Sequence, residues 1–238
     1  MFNIPETYRK DKYADLRAFI PKDLNPNDKK RLRESLKAVR LSYQIEGEEI
    51  PSVYDETYRC QAIQFYDMEL KNIKDANFVA SFYQNLIKPF CVIHLYDEKE
   101  EVYSYALKRL NQNDDTQVVL EDSLVTHAFM INLPDGSRER FMGYADFSQT
   151  KNKQDKVSLY KEWFYKVYIL EHEKAYAESD KVLDGNLWYD SSRTARTMLK
   201  YRELVKQRDS LKKATTNAEK MKINKNIKVA INELSDSI

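Results

Sequence analysis

Cys60-Gln61-Ala62-Ile63-Gln64-Phe65-Tyr66-Asp67-Met68-Glu69-Leu70 alternates in period two, the spacing of side chains on a β-strand. Ile63 and Phe65 form one apolar set and Tyr66, Met68 and Leu70 the other, so a phase change falls near Tyr66, where a bulge is expected. Downstream, Phe78, Val79, Phe82, Tyr83 and Leu86 share one face of a helix predicted over 75–86, which Lys88-Pro89 stops. The nearly continuous apolar run Phe90-Cys91-Val92-Ile93-His94-Leu95-Tyr96 then reads as a strand buried on both faces. Strand–helix–strand in this order, with further strand candidates at 102–110 and 117–131, predicts an α+β layer with a helix packed on a small mixed sheet.

Outside that unit the periodicity changes. Leu32, Leu36, Val39 and Tyr43 recur at spacings of 4, 3 and 4, which predicts a helix over 29–43 capped by Asn27 or Asp28, its other positions being Lys29, Lys30, Arg31, Arg33, Lys37 and Arg40. Asp135-Gly136 predicts a hairpin turn between 130–133 and 140–142. From Lys156 the apolar residues Val157, Tyr160, Trp163, Phe164, Val167 and Leu170 form a wide helical face. After Gly185, Asp190 or Ser191 caps a last helical region. Leu204, Leu211, Ala218 and Met221, then Ile227, Ile231 and Leu234, occupy heptad-like positions interrupted near Thr215-Thr216-Asn217, compatible with one bent helix or a helical hairpin. Three regions are expected: a basic helical segment over 1–55, an α+β core over 56–150, and a helical region over 151–238 with a basic, coiled-coil-like tail.

Charge is segregated along the chain of 238 residues, although the formal net charge is only +1. Residues 8–40 carry 11 basic and 5 acidic side chains, 41–195 carry 17 and 27, and 196–228 carry 11 and 3. The tail's field suits phosphates, an acidic protein surface, a second copy of the chain, or plain solvation. Lys200, Arg202, Lys206, Arg208, Lys212, Lys213, Lys220, Lys222 and Lys225 are the candidate contacts. The four glycines, at 47, 136, 143 and 185, stand too far apart for the usual phosphate-cradling loops. No stretch reaches the roughly 18 consecutive apolar residues of a membrane span, and the first residues lack a signal-peptide plan, so a cytoplasmic protein is expected. Cys60 and Cys91 are 31 residues apart in strand-like runs, which predicts reduced, structural thiols.

Enzymatic signals are weak. Glu69-Leu70-Lys71 at a strand end, with Asp55 fourteen residues upstream, has the residue types of a restriction-endonuclease-like site, in which two carboxylates hold Mg²⁺ and a lysine stabilises charge on the scissile phosphate. That is the alternative reading, a Mg-dependent nuclease using Asp55, Glu69 and Lys71, with Asp55 and Glu69 as metal ligands. Such a tripeptide is common in a chain rich in Glu and Lys. His94 and His127 lie in strand-like runs and are read as satisfied sheet residues, and Glu171-His172-Glu173 points its side chains to diverging helix faces, wrong for a shared metal.

Lys108-Arg109-Leu110-Asn111-Gln112-Asn113-Asp114, followed by Gln117-Val118-Val119-Leu120-Glu121-Asp122, resembles an uncharacterised bacterial family, domain of unknown function 4391. The helix before Lys88-Pro89, the strand Phe90 to Leu95 and the tract Ala218 to Ile227 resemble it too, so that 60–131 and 196–236 are covered. Members of that family are usually met beside helicase and DNA-methyltransferase genes in restriction-like or phage-defence loci. The resemblance therefore implies DNA-processing partners, and no established activity. Arg109, Asn111, Gln112 and Asn113 form a polar cluster able to bind bases or phosphates, or to build the turn between two strands. The favoured expectation is a non-catalytic adaptor of a DNA-modification or antiviral defence assembly. It would need no cofactor, would contact a helicase or methyltransferase and DNA through basic helices, and would self-associate through the C-terminal helix.

Overall fold

The computed structural model describes residues 2–238, and the chain divides into two compact units, one ending at Phe164 and one spanning Tyr165–Ile238. In chain order the first unit contains β1 (Arg9–Tyr13), α1 (Leu16–Phe19), α2 (Pro26–Ser35), β2 (Leu36–Ile45), β3 (Val53–Tyr54), β4 (Arg59–Cys60), β5 (Ile63–Leu70), α3 (Ala76–Leu86), β6 (Phe90–Tyr96), β7 (Glu100–Asn111), β8 (Asp114–Val125), β9 (Phe129–Met130) and α4 (Gly136–Tyr144). Helix α5 (Lys156–Glu171) crosses the division. The second unit adds α6 (Ser179–Asp184), α7 (Ser191–Lys213) and α8 (Asn217–Ser235). The α+β expectation, with helices at the C-terminus, is met.

A seven-stranded mixed sheet runs in the order β1-β2-β5-β6-β7-β8, with β9 pairing the start of β7. Strands β5 and β6 are parallel, joined across one face by α3, and the other pairings are antiparallel. Both phases of β5 are buried, each on its own face. Met68 and Leu70 meet Leu32, Leu36, Val39, Val79, Tyr83, Ile93 and Leu95 on the face of α2 and α3. Phe65 points the other way, edge-on to Trp163 at 5.7 Å between centroids, in an aromatic layer that continues through Phe2, Tyr103 and Phe141. The register of β2 against β5 shifts between Leu41 and Tyr43, opposite Tyr66 and Phe65, where the phase change falls.

Three expectations are corrected. The helix predicted over 29–43 ends at Ser35, and 36–45 is strand β2 in the same sheet as the core, so residues 1–55 are not a separate helical segment. Leu36, Val39, Ser42 and Ile45 are buried at every third position because two bulges advance the strand, and a bulged strand with that spacing mimics a helical stripe. The Asp135-Gly136 turn is a helix start: the Asp135 carboxylate accepts from Ser137 N at 2.9 Å and Arg138 N at 3.2 Å, capping α4. The compact units divide within α5 instead of at residues 55 and 150.

Polar side chains complete the core. The paired register of β6 and β7 runs to Val92 and Tyr105; just beyond it, the Tyr160 hydroxyl donates to Cys91 O at 2.8 Å and accepts from Ala106 N at 2.9 Å. Lys108, 2% exposed, donates to Ile87 O at 2.5 Å and Pro89 O at 2.9 Å beyond the end of α3, where carbonyls lack intrahelical donors. Lys156 likewise donates to Gly47 O at 2.8 Å, Gly47 taking the left-handed φ of 82°. Cys60 and Cys91 are free and buried, and burial pushes the Cys60 thiol up to about 12. In the second unit α7 and α8 form an antiparallel hairpin: Lys200 Nζ donates to Glu233 O at 2.8 Å, and Thr216 with Glu219 makes a capping box that starts α8.

Replacing Asp135 with Ala should cost about 1 kcal/mol in urea unfolding, the usual loss for a helix N-cap, whereas a hairpin turn there would leave helix content unchanged. The loss should appear in far-UV circular dichroism as reduced helix content before the main transition.

Candidate functional site

A buried row of charges crosses the first unit's sheet, and an exposed group of charges lies in the second unit. Arg40 on β2 is paired in register with Asp67 on β5, and Asp67 with His94 on β6. Arg40 Nη2 lies 2.6 Å from Asp67 Oδ2, Asp67 Oδ1 3.0 Å from His94 Nδ1, His94 Nε2 2.8 Å from Glu101 Oε2, and Glu101 Oε1 2.5 Å from Arg138 Nε. Asp11 extends the row at 3.3 Å from Arg40. Charges alternate from β1 to α4, and the His94 ring is sandwiched between Tyr96 at 4.9 Å and Tyr103 at 4.7 Å.

Burial alone favours neutral groups here, but pairing outweighs it. Burial pushes Asp67 up and the His94 and Arg40 contacts pull it below its ordinary value; Glu101 is held down in the same way by His94 and Arg138. Burial also opposes the charge on His94, and its bonds to Asp67 and Glu101 outweigh that, raising its pKa. Both ring nitrogens of His94 are engaged by carboxylates, and that pairing favours the imidazolium form. The ladder ties β2, β5, β6, β7 and α4 together through consecutive contacts.

The exposed arrangement is the far end of the α7–α8 hairpin. Residues 206–226 contain seven basic and two acidic side chains. Lys206, Lys212, Lys213, Lys220, Lys222 and Lys225 are all exposed, and of these Lys212 is paired, with Asp209 at 2.7 Å. Among the described residues the other five have no carboxylate at ion-pairing distance. The remaining tail candidates are used within the second unit. Lys200 binds Glu233 O, the Arg208 Nε donates to Ala175 O at 3.2 Å, and the Arg202 guanidinium lies 5.3 Å and 5.4 Å from the rings of Tyr165 and Tyr168.

The other sequence candidates lie in the first unit. Asn111 accepts from Asn113 N at 3.0 Å in the tight β7–β8 turn, with Gln112 and Asn113 exposed, and Arg109 Nη1 donates to Leu110 O at 3.0 Å. These residues build a turn. Asp55 is not brought to Glu69: it closes the β3–β4 turn by accepting from Thr57 N at 2.7 Å and Tyr58 N at 2.6 Å, beside the start of β5. Glu69 stands near the far end of that strand, roughly 20 Å along it from Ile63 at the usual rise per residue. Glu69 pairs with Lys37 at 3.3 Å, and Lys71 Nζ donates to Arg33 O at 3.1 Å. Among the described residues, no group of three or more His, Cys, Asp or Glu side chains is placed to hold a metal ion. No helix among them is long and apolar enough to cross a membrane.

Sequence reasoning missed the partners of His94. The available signal was positional: Asp67 continues the Ile63, Phe65 phase of a doubly buried strand, so a charge there requires a counter-charge on each neighbouring strand.

An α+β unit followed by a helical unit with a cationic hairpin is the class of protein these features define. The family model described as "Domain of unknown function (DUF4391)" matches residues 2–234, and the chain belongs to that family. Neither the comparison with curated proteins nor that with solved structures finds a match.

The ladder has a pH signature. Its carboxylates contribute stability above their ordinary values near 4, lost as pH falls through their lowered values; His94 contributes below its ordinary value near 6.5, lost as pH rises through its raised value. His94→Gln should therefore destabilise by about 3 kcal/mol at pH below the ordinary histidine value, with the difference from wild type shrinking as pH rises through the raised value of His94. Urea midpoints across that range check it; a constant difference would mean a neutral His94.

Proposed function

We propose that this protein is a non-catalytic accessory subunit of a bacterial DNA-modification or phage-defence assembly, and that it holds the nucleic-acid backbone with the end of its α7–α8 hairpin. The observation that carries the reading is the cluster of exposed ammonium groups at Lys206, Lys213, Lys220, Lys222 and Lys225, on two helices whose opposite ends are locked together. Exposed lysines without carboxylate partners suit phosphates, since each contact releases counterions and none needs a base edge. Such a contact is indifferent to sequence, which fits a subunit that leaves target choice to others. The family's usual setting beside helicase and DNA-methyltransferase genes suggests those enzymes as partners, in the cytoplasm, with the turn at Asn111, Gln112 and Asn113 as a further exposed contact.

The test is fluorescence anisotropy with a labelled 30-base-pair duplex over about 50–200 mM NaCl. Lys206→Glu, Lys213→Glu and Lys222→Glu combined should weaken binding at least tenfold at 100 mM salt and flatten the log–log salt dependence by about 2 to 3, at roughly 0.9 per phosphate contact. Unchanged affinity and slope would remove the hairpin from the reading. Tagged protein purified from its native host should carry a stoichiometric helicase or methyltransferase, and its elution alone would count against the accessory role.

A further inference from the structure

The first unit carries a second cationic surface, built by α2. Residues 29–33 read Lys-Lys-Arg-Leu-Arg, and Leu32, fully buried against the sheet, sets the helix's rotation. At 100° per residue Pro26, Lys29, Lys30 and Arg33 then fall within an arc of about 100° to one side of Leu32. Those four, with Glu34, line a concavity of about 410 Å³. Arg31 falls on the opposite side, where its guanidinium lies 3.9 Å from the Phe78 ring centre and 3.4 Å from Asp75. Arg31 is thus engaged by a carboxylate and a ring, whereas Lys29 and Arg33 have no carboxylate at ion-pairing distance and Lys30 has only the exposed Glu34 at 3.9 Å.

Backbone carbonyls hold two of the ammonium groups in place. Lys29 Nζ donates to Lys22 O at 3.2 Å, and Lys71 Nζ donates to Arg33 O at 3.1 Å, which brings the Lys71 ammonium to the backbone of α2 beside the hollow. A carbonyl tether fixes a lysine without cancelling its charge. Two carboxylates lie close by, Asp28, which accepts from Asn25 Nδ2, and Glu34, which stands 3.9 Å from Lys30 with both side chains largely exposed; against the cations of Lys29, Lys30, Arg33 and Lys71 they leave the surface net basic. Among the described residues Lys22, Lys29, Arg33 and Lys71 have no carboxylate at ion-pairing distance. Lys71, which the sequence offered as part of a nuclease motif, thus stands beside this hollow.

We infer that the α2 concavity, with Lys29, Lys30, Arg33 and the neighbouring Lys71, is a second binding surface for the phosphodiester backbone of nucleic acid. A row of cations around a shallow hollow accommodates successive phosphates, and Arg33 adds a guanidinium that can grip one phosphate through two donors. The inference shares the polyanion reading of the hairpin but uses different residues in a different unit, so the two can fail separately.

The experiment compares wild type, the hairpin triple variant, and Lys29→Glu/Arg33→Glu/Lys71→Glu on labelled 30-base-pair duplex and 30-nucleotide single-stranded DNA over about 50–200 mM NaCl. The α2 variant should bind about tenfold more weakly at 100 mM salt, with the salt slope reduced by about 2 to 3. The neutral variant Lys29→Gln/Arg33→Gln should lose a slope of about 2 with an unchanged urea midpoint, which separates lost contacts from lost folding. Wild-type affinity and slope in the α2 variants, with binding lost in the hairpin variant, would overturn this inference alone. Loss confined to the α2 variants would support it and overturn the hairpin reading, and a wild type that binds neither DNA would overturn both.

Discussion

Strand β5 is apolar in both phases and is buried on both faces, and this constraint organises the first unit. Its Met68 and Leu70 need the helices α2 and α3 on one side, and its Ile63 and Phe65 need the aromatic layer of Phe2, Trp163 and Tyr103 on the other. Asp67 lies in the second phase, so a carboxylate is carried into a layer that excludes water. A buried charge survives only when it is paired and hydrogen-bonded on every side. The row from Arg40 through His94 to Glu101 and Arg138 meets that demand by drawing one residue from each neighbouring element. Strand order, register and the position of α4 are thereby linked, because a slip by one residue would turn an ion out of the row.

The same residue type serves opposite ends in this chain. Lys108 and Lys156 are buried, and desolvation lowers the pKa of each; both donate to carbonyls that would otherwise lack partners. They act as internal caps for irregular backbone. Lys213, Lys220 and Lys222 are exposed, and Lys29 and Lys71 are exposed or partly so while tethered by carbonyls. In these the charge stays available. A near-neutral total therefore conceals a molecule with acidic stretches, interior lysines and two outward cationic surfaces, and net charge by itself says little about what it can bind.

Where the pattern followed one regular period, the sequence was a good guide. The helix before Lys88-Pro89 and the strand Phe90–Tyr96 appear as read, Asp190 is the one of the two candidates Asp190 and Ser191 that caps α7, and the interruption near Thr215-Thr216-Asn217 is where α8 starts, at the Thr216–Glu219 capping box. Where two periods overlapped, it was not. Bulges gave β2 a spacing of three that imitates a helix, and Asp-Gly serves a hairpin and a helix N-cap equally well before the neighbouring chain is placed. The nuclease-like triad illustrates the same limit: proximity in sequence put Asp55 near Glu69, and an intervening extended strand put them at opposite ends.

The sequence by itself determined the α+β class, the apolar faces of β5, α3 and β6, the reduced thiols and the cationic character of the tail, because each rests on residue type and local period. Only the tertiary structure decided which charges are exposed. Lys200, Arg202 and Arg208 look like their neighbours in the tail but are bound within the second unit, while Lys71 is drawn to α2 by the carbonyl of Arg33. Whether a lysine or arginine is a cap, a ring partner or an open contact depends on which backbone lies across from it, and that is settled by packing between residues far apart in the chain.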